Sequence, residues 1–212
     1  MTTYTILNGA KTVEGSIKYA VNHSTVPSAS IITNAEAFIY SRLRVREMKA
    51  LVTGTILAAA STVALPTGYR EAIWLGLGAD YARNIPILDE DHYERITGFT
   101  SAGALNTGPP SYCRIGDTTI TFDTVFDQSY TYRLHYYKTP TALVTDTTNF
   151  LSTKYEHVLE AICKYFAYMH RENLVYADRW LQIGMAGIEQ ANVENDLHQQ
   201  ATRTEIHWGA NQ

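Results

Sequence analysis

With 212 residues, 45% of them apolar and 18% charged, the chain has the composition of a globular protein that fits one large domain, or one domain with a sizeable insertion. A formal net charge of −4 excludes bulk electrostatic attraction to nucleic acid or to an anionic membrane. The opening Met1 to Ile6 has neither a basic segment nor a long apolar run, so no secretory signal is expected, and no stretch approaches the ~20 apolar residues of a membrane helix.

Residues 1–51 are expected to be helical. Thr12 or Ser16 is placed to cap a short helix ending near Asn22, before Pro27 and Ser28 break the chain. Ile31, Ile32, Ala35, Phe38, Ile39 and Leu43 then form an amphipathic stripe at helical spacing. Arg42, Arg44, Arg46 and Lys49 fall in the last two turns of this predicted helix, where cations complement its dipole. Arg42, Arg46 and Lys49 share one predicted face. It suits a solvated surface, or contact with an acidic partner or a phosphate backbone.

Residues 52–138 are expected to be mostly strand and loop. Ile56 to Leu65 suits a strand and ends at Pro66, whereas Tyr69 to Leu77 has no clear period. Gly76-Leu77-Gly78 is expected to be a turn. Asp89 is placed as a helix N-cap, with Glu90 and Asp91 in the first turn, where the dipole favours them. Phe99 to Ser111 is rich in turn-forming residues and is expected to be a loop. Tyr112 to Ile115 and Thr119 to Phe122 flank Gly116-Asp117 as a hairpin, and Asp127 to Ser129 is a second turn.

Tyr130 to Lys138 follows as the partner strand of that hairpin, completing a short antiparallel meander. Its alternation puts Tyr130, Tyr132, Leu134 and Tyr136 on a core face, and Thr131, Arg133, His135 and Tyr137 on a surface or interface. Fifteen tyrosines against six phenylalanines also skew the aromatic content toward a type enriched at interfaces.

After a connector over about 139–152, two long helices are expected, bending at Asn173. The first carries Tyr155, Val158, Leu159, Ile162, Tyr165, Phe166 and Met169 on one stripe. Gly184, Gly187 and Ala191 weaken the second unless another helix packs closely there. From about Thr202 the polar tail, with Ile206 and Trp208, is expected to fray until it docks on a partner. The expected fold is therefore α+β. Residues 1–51 and 150–202 form a helical bundle, 52–149 an inserted β-rich region holding the antiparallel meander, and 203–212 a flexible tail.

Chemistry-bearing patterns are scarce. H-E-x-x-H, C-x-x-C, G-x-S-x-G and Walker patterns are all missing from the sequence. His157 and His170 share a predicted helix but stand more than three turns apart, too far to share a metal. Asp89, Glu90, Asp91 and Glu94 suit a solvated helix start better than a cation site. Cys113 and Cys163, fifty residues apart, suit small core residues in a reducing compartment, with a disulfide left open. No catalytic, cofactor-binding or metal-binding residue is assigned.

The order of the landmarks resembles the head-to-tail adaptor (connector, or head-completion) proteins of tailed bacteriophages. The similarity runs through Ala35-Glu36 with Leu43-Arg44, Leu65-Pro66-Thr67-Gly68-Tyr69, Gly108-Pro109-Pro110-Ser111-Tyr112 and Leu134-His135-Tyr136-Tyr137. Leu143 and Asn149 of the connector and the paired helices from about Lys154 complete it, so most of the chain is covered. The resemblance implies a non-enzymatic virion protein of the neck or tail, assembled in the host bacterial cytoplasm without a cofactor. It implies a ring of identical subunits, commonly twelvefold, seated beneath the portal protein and receiving a tail or nozzle protein. DNA would pass through its channel without sequence-specific binding, and no membrane is involved. Arg42, Arg46, Lys49, Arg133, His135, Tyr137 and Trp208 are the interface candidates. Three alternatives stay open: another phage neck or tail component, a plain binding module, and a small cytosolic enzyme with a noncanonical site around His92.

Overall fold

The computed structural model describes residues 2–78, 83–97 and 105–209, with the side chains beyond residue 198 outside the description. In chain order it runs through α1 (Thr3–Leu7), α2 (Ile17–Ala20), α3 (Ser28–Arg42), a 3-10 turn (Arg46–Met48), β1 (Lys49–Ile56), β2 (Thr62–Ala64) and β3 (Tyr69–Leu77). There follow β4 (Arg83–Asn84), β5 (Ile87–Leu88), α4 (Glu90–Ile96), β6 (Cys113–Ile115), β7 (Thr119–Phe122) and β8 (Tyr130–Lys138). The last elements are α5 (Leu143–Asp146), α6 (Phe150–Lys154), α7 (Glu156–His170) and α8 (Leu174–Gly209). They divide into two compact units, a helical one of Met1–Glu47 with Pro140–Gln212, and a β-rich one of Met48–Thr139.

In the helical unit Ser16, not Thr12, caps α2, its hydroxyl accepting from the Tyr19 N–H at 3.0 Å. Asn149 and Ser152 form a reciprocal capping box at the start of α6. The expected stripe on α3 is buried at Ile31, Ile32, Ala35 and Ile39. It faces α7, where Val158, Leu159, Ile162 and Cys163 are buried in turn. Gly184 and Gly187 do sit under a second helix. A Cβ on Gly187 would come within 2.7 Å of Val158, and one on Gly184 would collide with Ile162. α7 and α8 separate at Arg171 to Asn173, with Glu172 in the left-handed region at φ 55°.

The third helix stops earlier than its sequence predicts. Leu43 turns to an extended conformation with ψ 133°, and strand β1 begins at Lys49, so residues 43–51 do not continue the α-helix. The expected helical face of Arg42, Arg46 and Lys49 is therefore overturned. Arg42 ends α3, Arg46 lies in the 3-10 turn, and Lys49 opens β1.

The expected fold is also corrected in its β portion. In place of one inserted antiparallel meander the described residues form two four-stranded sheets, ordered β1-β8-β3-β4 and β2-β7-β6-β5. The β6–β7 hairpin forms as expected, but it pairs with β2, and β5 joins β6 in parallel. β8 is not the hairpin's partner. It is flanked by β1 and β3, both antiparallel to it and both distant in sequence. The reason is burial: the aromatic inner face of β8 is covered by a layer only if the hairpin lies in an opposing sheet. Both sheets supply one core, with Ile56, Leu75, Leu77, Leu134 and Tyr136 from the first and Cys113, Ile120 and Phe122 from the second. Tyr130 and Tyr132 pack against it from the same face of β8, as the alternation predicts.

Three local readings change with this topology. Ile56 to Leu65 is not one strand, because the chain leaves β1 at Ile56, passes Ala59 at φ 65°, and re-enters as β2. Tyr69 to Leu77 is a strand whose alternation is broken by irregularities at Tyr69/Glu71 and Ala72/Trp74. Gly76 is not in a turn but within β3, where the Trp74 ring occupies the space of a Cβ. Part of the expected 99–111 loop, residues 99–104, lies outside the described residues.

Candidate functional site

β8 is the central strand around which the predicted interface residues are placed. Its outer face carries Arg133, His135 and Tyr137, each half-buried between two neighbouring strands. The registers set cross-sheet rows of Lys49–Tyr137–Glu71, Leu51–His135–Trp74 and Thr53–Arg133–Gly76. Lys49 thus joins Arg133, His135 and Tyr137 on one face. The His135 ring meets Trp74 edge-on, with centroids 5.6 Å apart. Burial, then the positive charges of Arg133 and Lys49, lower the His135 pKa, so its imidazole is neutral at pH 7.

Arg42 and Arg46 belong to the helical unit. The Arg42 guanidinium lies 3.8 Å above the Phe38 ring centroid and donates to the Ser41 hydroxyl at 2.7 Å. The Arg46 side chain is 67% exposed and pairs with Glu47 at 3.4 Å. Trp208 falls among the residues whose side chains are outside the description.

The backbone that carries Arg42, Arg44 and Arg46 is held by a feature that no sequence pattern announced. Asn192 of α8 donates to the Arg42 carbonyl at 3.1 Å and accepts from the Arg44 N–H at 2.7 Å. Asn195 repeats the pattern one step along, donating to the Arg44 carbonyl at 3.0 Å and accepting from the Arg46 N–H at 3.0 Å. Two side-chain amides therefore stand in for a neighbouring strand and satisfy the groups that the end of α3 would leave open.

A second anchor fixes the chain on its return to the helices. Glu36 of α3 accepts from the Leu143 N–H with both oxygens at 3.1 Å, from the Asn149 amide at 3.0 Å and from the Tyr40 hydroxyl at 3.3 Å. Burial raises its pKa, while the Leu143, Asn149 and Tyr40 hydrogen bonds hold it back. A carboxylate in an apolar helix stripe was the available signal, since such a group is buried only when its acceptors are used.

Part of the acidic cluster beside His92 has partners of its own. Asp89 caps α4, accepting from the His92 N–H at 2.9 Å, and Arg114 pairs with Glu90. Among the described residues no three His, Cys, Asp or Glu side chains converge as metal ligands. Cys113 and Cys163 are buried free thiols, and burial pushes the Cys113 pKa up to about 12. No helix among the described residues is long and apolar enough to cross a membrane.

The described residues thus form an α+β chain with a polar, half-buried face on β8. Residues 14–209 match the SU10 adaptor protein family, and the chain belongs to it, as the resemblance to phage head-to-tail adaptors implied. No curated protein matches the sequence.

Proposed function

We propose that the protein is a non-enzymatic virion component that forms a ring beneath the portal and joins it to the tail. The observation that carries this reading is the family membership, which spans nearly the whole chain. In this reading the partners are further copies of the chain, in a dodecamer, with portal on one side and a tail or nozzle protein on the other. DNA passes through the channel without sequence-specific contacts, as the acidic net charge favours. The outer face of β8, with Lys49, Arg133, His135 and Tyr137, and the exposed Arg42 and Arg46 are subunit or portal contacts. The mix of aromatic and cationic side chains at Arg133, His135 and Tyr137, all at intermediate burial, suits a surface completed by a partner. The segment 203–212, with Trp208, docks on a neighbour during assembly.

Negative-stain imaging of the purified protein, alone and with portal, tests the proposal. Ring-shaped particles in either sample are the expected result. A strict monomer that never binds portal overturns it.

A further inference from the structure

The edges of the two sheets are unequal. β2, β4 and β5 contribute three, two and two residues, lengths that give an incoming strand little to pair with. β1 is different. Its eight residues pair with β8 in unbroken register on one side, and no described strand pairs with the other. It contains no proline and no bulge, and Leu51 stands 48% exposed on it. A long, flat edge of this kind is a template for another strand.

A complementary edge lies at the opposite side of the same sheet. β4 pairs only with Gly76 and Leu77, leaving the Tyr69–Trp74 stretch of β3 beside an open groove of about 720 Å³. Asn84 to Leu88 and Ile115-Gly116 line the groove along with β3, a setting suited to an extended segment. Since β1 and β3 are both antiparallel to β8, they run parallel to each other. A second copy laid alongside would thus continue the sheet by placing its β1 parallel to the first copy's β3. Extending the row Lys49–Tyr137–Glu71 brings Glu71 of one copy beside Lys49 of the next. The next row, Leu51–His135–Trp74, brings Trp74 of one copy beside Leu51 of the next, with the 44% exposed Ile73 as the extra residue of the irregularity between Ala72 and Trp74. Charge and apolar surface match in successive rows, and β4 with Ile85 takes up the edge from Leu75 onward.

We propose that the Lys49–Val52 stretch of the β1 edge of one copy pairs in parallel with the Glu71–Trp74 edge of a second copy, Lys49 against Glu71 and Leu51 against Trp74. This inference rests on the ring reading above. The contact is heterologous and leaves a free edge at each end, so it repeats head to tail until rotation closes a ring.

Cysteine cross-linking of the full chain tests it. Adjacent strands bring Cα atoms within the ~4.4–6.8 Å that a disulfide spans, and both native cysteines are buried. Particles formed alone or with portal by Lys49→Cys/Glu71→Cys should, on oxidation, give a ladder well beyond dimer on a non-reducing gel. A mixture of the two single variants should stop at dimer, and neither single variant alone should cross-link. Rings that yield only monomer bands overturn the edge pairing but leave the ring reading standing. Dimers from Lys49→Cys alone overturn it in favour of symmetric β1–β1 pairing. Absence of any assembly, alone or with portal, overturns both. Independently, Lys49→Glu or Glu71→Lys should reduce the assembled fraction by about tenfold or more, and the charge-swapped double variant should restore it. Failure of the swap to restore assembly counts against the pairing.

Discussion

Glu36 illustrates how one side chain holds two distant segments together. It is 3% exposed, and its removal takes away the acceptor of the buried Leu143 N–H, whereas the Asn149 amide keeps the Thr141 carbonyl at 3.0 Å and the Tyr40 hydroxyl at 2.9 Å. Glu36→Ala is expected to cost about 1–3 kcal/mol in urea denaturation, the penalty of the unsatisfied buried Leu143 donor. Its pKa is raised in the fold, so the folded state holds this proton at pH values where the unfolded chain has released it. That contribution to stability is full below the ordinary carboxylate pKa and is lost as pH rises through the folded value. The stability of the wild type relative to Glu36→Gln should therefore fall from about pH 4 upward, measured by denaturation at a series of pH values. His135 runs the other way. Its lowered pKa means that its stabilising contribution is present above the ordinary histidine pKa and is lost as pH falls through the folded value.

Among the elements, α8 organises the helical unit through small residues and amides. Gly184→Ala gains about 1 kcal/mol of helix propensity but drives a methyl into Ile162. Overpacking costs about 1–3 kcal/mol, so the net expected outcome is destabilisation, read as a lower denaturation midpoint at unchanged m-value. The asparagine strap has a site-resolved test. Asn192→Ala should speed hydrogen exchange at the Arg44 amide more than at the Arg46 amide, and Asn195→Ala should do the reverse. The α3 stripe, the Asp89 cap and the close glycine packing were legible because each depends on neighbours within a few residues or on an apolar period. The end of α3 was not. Arg42 to Lys49 retains helix-compatible residues, and what draws the backbone straight is a pair of amides some 150 positions away.

For the whole molecule, the decisive property is the polar face of β8. Arg133→Glu is expected to leave circular dichroism and the monomer's denaturation curve close to wild type while abolishing or weakening assembly. Loss of folding instead would place that face in the core. The boundaries of β8, Tyr130–Lys138, and its two faces followed from the sequence alone, because alternation is a local consequence of strand geometry. The order of motifs along the chain also pointed to the adaptor family. Strand pairing required the tertiary structure. Hydrogen bonding between backbones carries no side-chain label, so adjacency in sequence favoured one meander. Burial of the aromatic face instead set the hairpin in an opposing sheet and brought β1 and β3 to either side of β8. Through that rearrangement Lys49 left a supposed helix face and joined Arg133, His135 and Tyr137. Periodicity determined which residues share a face of each element, and packing of that face decided which elements became neighbours.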